Sequence, residues 1–197
     1  MAQERSVVTP DRFEQGLPYR DWLAQIKVNR DQFQRWYEAC PISSEEAELF
    51  RRLAQRPEGP ARVLALAEDW CPDVYRGLPV MARIAEAAGM ELRVFWRDRN
   101  LDIMGEFLKD GQFHSIPTFV FYTQEHRYLC HWTERPALAN RERAEIEEQV
   151  QRALAGRDDQ EVKAEAGRRT RERYPVWQRA TVQELKELLA GLQGDTP

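Results

Sequence analysis

Val63-Leu64-Ala65-Leu66-Ala67-Glu68-Asp69-Trp70-Cys71-Pro72-Asp73-Val74 reads as a strand, a short turn and the start of a helix. Val63 to Ala67 is an unbroken apolar run, the pattern of a strand covered on both faces. Pro72 suits a first helical turn, where its missing N–H is not needed. Leu78, Met81, Ala82, Ile84 and Ala85 then recur at helical spacing until Gly89. Cys71 therefore stands at a helix N-terminus, where unpaired amides and the helix dipole favour an anion. Such a position can bring a thiol from about 8.5 into the range of roughly 3.5–7.5. Asp69 and Asp73 oppose that, because a nearby carboxylate disfavours a second negative charge. The same Cys also suits the role of a small buried hydrophobe.

Further along, Leu92 to Trp96 reads as a second apolar strand. Asn100 is placed to cap a short helix carrying Leu101, Met104, Phe107 and Leu108, closed by Gly111. Thr118 to Tyr122 and Arg127 to Trp132 read as two strands joined by the polar turn Thr123 to His126. The first strand–helix–strand suits a parallel crossover and the last pair an antiparallel hairpin. Pro117 opens the hairpin, the place in a strand where a missing donor costs least. A cis Ile116–Pro117 bond fits a tight turn there, although trans is the commoner form.

Both flanks read as helical. Thr9-Pro10, the run from Trp22 to Tyr37, and Ser43 with Glu46 as a capping box mark residues 1–60, which end in the breakers Arg56 to Pro60. Ile146, Val150 and Leu154 continue the pattern after 136. Gly156 to Arg173 is charged throughout, as a solvated helix or a linker would be. Tyr174 to Trp177 reads as a break, and Thr181 with Glu184 as a capping box opening a last helix. The division expected is 1–60, 61–135 and 136–197: a helical extension, an α/β core and a second helical extension.

The order of elements, with Trp70-Cys71 at the helix start and Ser115-Ile116-Pro117-Thr118 at the hairpin, resembles the thioredoxin superfamily over about residues 60–135. More narrowly, Glu68 to Asp73, Arg97 to Asp102 and Trp132-Thr133-Glu134-Arg135-Pro136 resemble a bacterial group of thioredoxin-like proteins. The resemblance implies a thioredoxin-like fold, with about four strands in a mixed sheet, helices on both faces and helical extensions at both ends. It implies Cys71 as the nucleophile. It implies a groove formed by Trp70, Pro72, Asp73, Ile116, Pro117 and Trp132. Two departures count against dithiol turnover. Val74 stands where the resolving Cys belongs, and Ala65 stands where a buried carboxylate handles protons. The thiol that would release the substrate is therefore missing locally. Cys130, near the end of the hairpin's second strand, is the candidate to replace it. The expectation is a single-thiol redox protein, forming a mixed disulfide or a sulfenic acid at Cys71, with a non-catalytic binding module of the same fold as the alternative.

The remaining features narrow the field. The chain has 197 residues, a net charge of -4 and 3 Cys. That balance argues against a nucleic-acid partner, and the Cys count against a disulfide scaffold. No apolar run approaches the roughly 18 residues of a membrane span, and no signal peptide is evident, so a cytoplasmic location is expected. His114, Cys130 and His131 lack structural-zinc spacing, and Cys71-Pro72-Asp73-Val74 does not match the cluster-binding single-Cys motif, so neither metal nor cofactor is expected. Cys40, before Pro41, reads as a structural thiol. The partner expected is a protein or low-molecular-weight thiol. The apolar faces of the extensions also admit a homodimer.

Overall fold

The computed structural model describes residues 6–192. Its centre is a five-stranded sheet in the order β1-β3-β2-β4-β5. The strands are β1 (Leu17–Pro18), β2 (Arg62–Ala67), β3 (Glu91–Trp96), β4 (Thr118–Tyr122) and β5 (Tyr128–Thr133). β2 and β3 are parallel, joined by helix α5 (Pro72–Ala88), and the other pairings are antiparallel. Val63 to Ala67 of β2 and all of β4 are buried. Successive strand residues point to opposite faces, so the centre of the sheet is covered on both sides.

The apolar run in β2 and the helical spacing of α5 thus become the two halves of one crossover, as the sequence implies. Gly89 closes α5 at φ 75°, a left-handed conformation that costs glycine little. β1 is the strand not anticipated. It lies in the block read as helical and pairs Leu17 with Val94 and Pro18 with Arg93. Two residues carry no period that could announce a strand. Gly16 allows the approach: a Cβ there would lie 2.4 Å from the Phe95 ring.

On the N-terminal side are α1 (Pro10–Phe13), α2 (Tyr19–Gln25), α3 (Arg30–Glu38) and α4 (Ser44–Ala54). Ser43 and Glu46 form the expected capping box on α4. After β3 comes a short 3-10 turn and then α6 (Leu101–Glu106). Asn100 does not cap α6 with its side chain; its Nδ2 donates to the Trp96 carbonyl at 2.7 Å. The C-terminal block is α7 (Ala137–Ala153), α8 (Asp159–Glu172) and α9 (Tyr174–Gly191). The charged stretch after Gly156 is therefore a helix, and none of its residues is buried.

Tyr174 to Trp177 opens α9 instead of breaking the chain, since Pro175 falls in the first turn. Thr181 lies inside α9 and is no cap; its Oγ1 donates back to the Trp177 carbonyl at 2.9 Å. Among the described residues, no helix is long and apolar enough to cross a membrane.

α9 is fastened to α4 by Glu46. Its carboxylate accepts from the Ser43 amide at 3.1 Å and from Arg179, whose Nη1 lies at 2.7 Å. The hydrogen bonds from Arg179 hold the Glu46 carboxyl down at about 2 against the pull of burial, with Ser43 and Lys186 assisting. A depressed carboxyl stabilises the fold fully above its ordinary value near 4.5 and loses that contribution as the pH falls towards 2. Arg179 is partly exposed, so the loss is moderate. Glu46→Ala is expected to cost about 1–2 kcal/mol at neutral pH. Urea unfolding at neutral pH and again near pH 2 checks this, with the difference between variant and parent shrinking in acid.

Candidate functional site

The turn after β2 is fixed by its two carboxylates. Glu68 Oε1 accepts the Asp98 amide at 2.8 Å, tying the end of β2 to the turn after β3. Burial pushes the Glu68 carboxyl up. Asp69 Oδ2 accepts the amides of Lys27 at 2.7 Å and Val28 at 3.3 Å, and Asn29 Nδ2 donates to the Asp69 carbonyl at 2.9 Å. The sequence set Asp69 against a thiolate at Cys71. In the fold it is turned to the 27–28 amides and fastens the N-terminal helices to this turn. Trp70 next to it is 52% exposed, with the Arg97 guanidinium 5.8 Å from its ring.

Cys71 is the N-cap of α5, without a side-chain cap bond, and its Sγ faces the Ile116 carbonyl at 3.9 Å. The Ile116–Pro117 peptide is cis. Pro117 can sit close to α5 because residue 77 is glycine: a Cβ on Gly77 would lie 3.2 Å from Pro117 Cγ. Cys71, Pro72, Ile116 and Pro117 are thus brought together beside the exposed Trp70.

Trp132 is not part of that rim. It is buried, stacks on Phe119 at 5.4 Å, and donates from Nε1 to Glu184 of α9 at 2.9 Å. Alternation along β5 turned it inward, and the partner that holds it lies far along the chain. Asp73 lines a cleft beside Pro72, with its carboxylate already paired. Its Oδ1 accepts from Arg76 at 2.6 Å and its Oδ2 lies 3.2 Å from Arg135.

The second thiol position is sealed. Val74 is fully buried, and so is Ala65, which pairs with Val94 and Phe119 inside the sheet. Cys130 pairs with Phe121, three residues beyond the start of β4 at Thr118. That is about 10 Å along the strand from the end where Cys71 lies. A disulfide needs Cα atoms within about 7 Å, so this arrangement does not bring Cys130 to Cys71. Cys40, Cys71 and Cys130 are all free.

The expectation of a lowered thiol at Cys71 is reversed. Burial pushes the thiol up, and the Asp73 carboxylate adds to that. The amides of Val74 and Asp73 and the Arg135 guanidinium pull it down, but less strongly. Burial drives Cys40 and Cys130 further, each to about 12.

The sequence reading missed Arg76 and Arg135 as site residues. Arg76 is fully buried under the rings of Tyr174 and Trp177, with its guanidinium carbon 5.8 and 5.4 Å from their centres. Arg135 follows β5 and also pairs with Glu134, which pairs in turn with Lys109. Arg135 lies within the segment Trp132 to Pro136 that carried part of the resemblance, which was its one signal in the sequence.

The sequence model of a family described as thioredoxin matches residues 16–151. The chain belongs to this thioredoxin family. The match runs from just before β1 into α7, so it takes in the whole sheet and the site. A Pseudomonas aeruginosa protein of unknown function is similar in structure, with TM-score 0.66 and 16% identity, over 94% of this chain and 99% of its own. An HIV epitope-scaffold is similar over 91% of this thioredoxin-family chain and 95% of its own, with TM-score 0.60 and 17% identity. At such identities the likeness is one of fold. No curated protein sequence matches the chain.

The pH dependence of alkylation, read thiol by thiol by mass spectrometry on the native protein, tests the site electrostatics. Cys71 is expected to react first of the three, with a midpoint on the alkaline side of the same thiol in the unfolded chain. A midpoint below neutrality would contradict the dominance of burial.

Proposed function

We propose that this thioredoxin-family chain is a single-thiol redox protein. Cys71 captures a protein or low-molecular-weight disulfide as a mixed disulfide and holds it until an external thiol releases it. The observation that carries the reading is the pairing of a partly exposed Cys71, facing the Ile116 carbonyl, with a fully buried Val74 in the resolving position. The thiol can attack a disulfide, and among the described residues no second thiol stands beside it to release the product.

The Cys71 thiol gives up its proton and the thiolate attacks one sulfur of R–S–S–R. The S–S bond breaks, Cys71–S–S–R forms, and R–S⁻ leaves and takes up the proton. Release is the same exchange, with an external thiol as the attacking group. Because the thiol is pushed up, capture is slow at neutral pH and accelerates in alkali. A reducing compartment such as the cytoplasm supplies the releasing thiol. In this reading 61–135 is the redox core and 1–60 and 136–197 are extensions, with β1 lent to the sheet by the first of them.

The raised thiol favours a second reading, in which the groove binds an extended segment without covalent chemistry. Cys71→Ser separates the two. The parent protein, treated with a small disulfide, is expected to gain one adduct at Cys71 that persists until dithiothreitol is added, and the variant none. Should Cys71→Ser retain the partners that the parent captures, the binding reading replaces the redox one.

A further inference from the structure

Asp73 is the hub of a charge cluster beside Cys71. It takes Arg76 at 2.6 Å and Arg135 at 3.2 Å, and Arg135 leads on to Glu134 and Lys109. Three cations and two anions leave one positive charge over. The guanidinium groups are also short of acceptors. Arg76 Nε, Arg76 Nη1 and Arg135 Nε are buried with no hydrogen-bond partner. A buried donor left unmade is costly, and a guanidinium offers five donors in a fixed fork suited to a carboxylate.

The surroundings do not cancel this excess. A cleft of about 660 Å³ opens at Pro72 and Asp73 and runs between α7 and α8, over Tyr174 and Trp177. Further from the thiol, its walls carry Arg143 and Lys163 with Glu147 and Asp159, which sum to zero. On the other flank, Arg97 is paired with Asp98 at 2.6 Å, and Asp69 is occupied by the 27–28 amides. The unbalanced charge therefore belongs to the cluster around Asp73, two residues from Cys71. Arg135 keeps some exposure there, whereas Arg76 is fully covered.

We propose that Cys71 exchanges preferentially with small disulfides that carry a carboxylate, and that Arg135, backed by Arg76, selects them. This rests on the single-thiol reading and names its substrate class. Asp73 opposes an anion at the sulfur, and the two guanidiniums paired with it offset that charge where the ligand's carboxylate would lie. The carboxylate would meet the exposed part of Arg135, while the disulfide sulfur meets Cys71.

The test compares three disulfides of like size on the full chain: dithiodipropionate, hydroxyethyl disulfide and cystamine. The rate of adduct formation at Cys71 is followed by intact-protein mass spectrometry at fixed alkaline pH. Dithiodipropionate is expected to react about fivefold faster than cystamine, the size of one partly exposed charge contact. The ratio should shrink as salt is added. Arg135→Gln should bring it close to one, and Arg135→Lys, which keeps the charge, should retain most of it. Equal rates in the parent, or cystamine ahead, overturn the selectivity and leave the thiol chemistry standing. No adduct with any of the three removes the thiol reading and the selectivity with it.

Discussion

Arg76 is a charge with no access to water, and the site is arranged around that fact. Removing a guanidinium from solvent costs several kcal/mol unless an acid and further partners meet it. Asp73, one turn earlier on α5, supplies the acid, and the rings of Tyr174 and Trp177 supply the cover. Gln178 completes the contact from α9, donating to the carbonyls of Trp36 and Arg76 at 3.1 and 3.2 Å. The buried cation and Gln178 together hold α9 against α5 and α3. The cation also holds, beside Cys71, the Asp73 carboxylate, which accepts from Arg76 and lies 3.2 Å from Arg135.

This arrangement differs from a dithiol site in kind as well as in residue count. The second thiol is replaced by a valine in the core, and the proton-handling acid by an alanine in the middle of the sheet. Both positions have been given over to packing. The N-terminal amides of α5 still point at the sulfur, so the anion-stabilising part of the thioredoxin fold survives. Burial outweighs it at Cys71. Affinity for the thiolate and cover from solvent pull in opposite directions, and at this sulfur cover is the larger.

Much of this was legible in the sequence because it rests on local pattern. Val63 to Ala67 has the pattern of a strand buried on both faces, and the spacing after Pro72 that of a helix, and both are found. The hairpin followed from two apolar runs with a polar turn between them. What stayed hidden depends on contacts distant in sequence. Trp132 is held by Glu184, and Asp69 by the amides of Lys27 and Val28. Neither partner can be guessed from a window of ten residues. Thr181 shows a different limit: a threonine three places before an acid marks a helix start in one setting and a mid-helix back-bond in another. Arg76 and Arg135 look like ordinary surface charges until the fold buries one and brings the other to Asp73.

The two borders of the sheet are unequal. On the β3 side the last strand is Leu17–Pro18, two residues long, and its proline has no N–H to give. An incoming strand would find almost no ladder to extend, so growth of the sheet is stopped on that side. The opposite border is β5, six residues from Tyr128 to Thr133, with its outer groups unpaired among the described residues. A register shift between Phe121 and Tyr122 bends its inner pairing. Self-association through backbone pairing, whether in a crystal, a crowded cell or a misfolded aggregate, is therefore directed to one border of this protein.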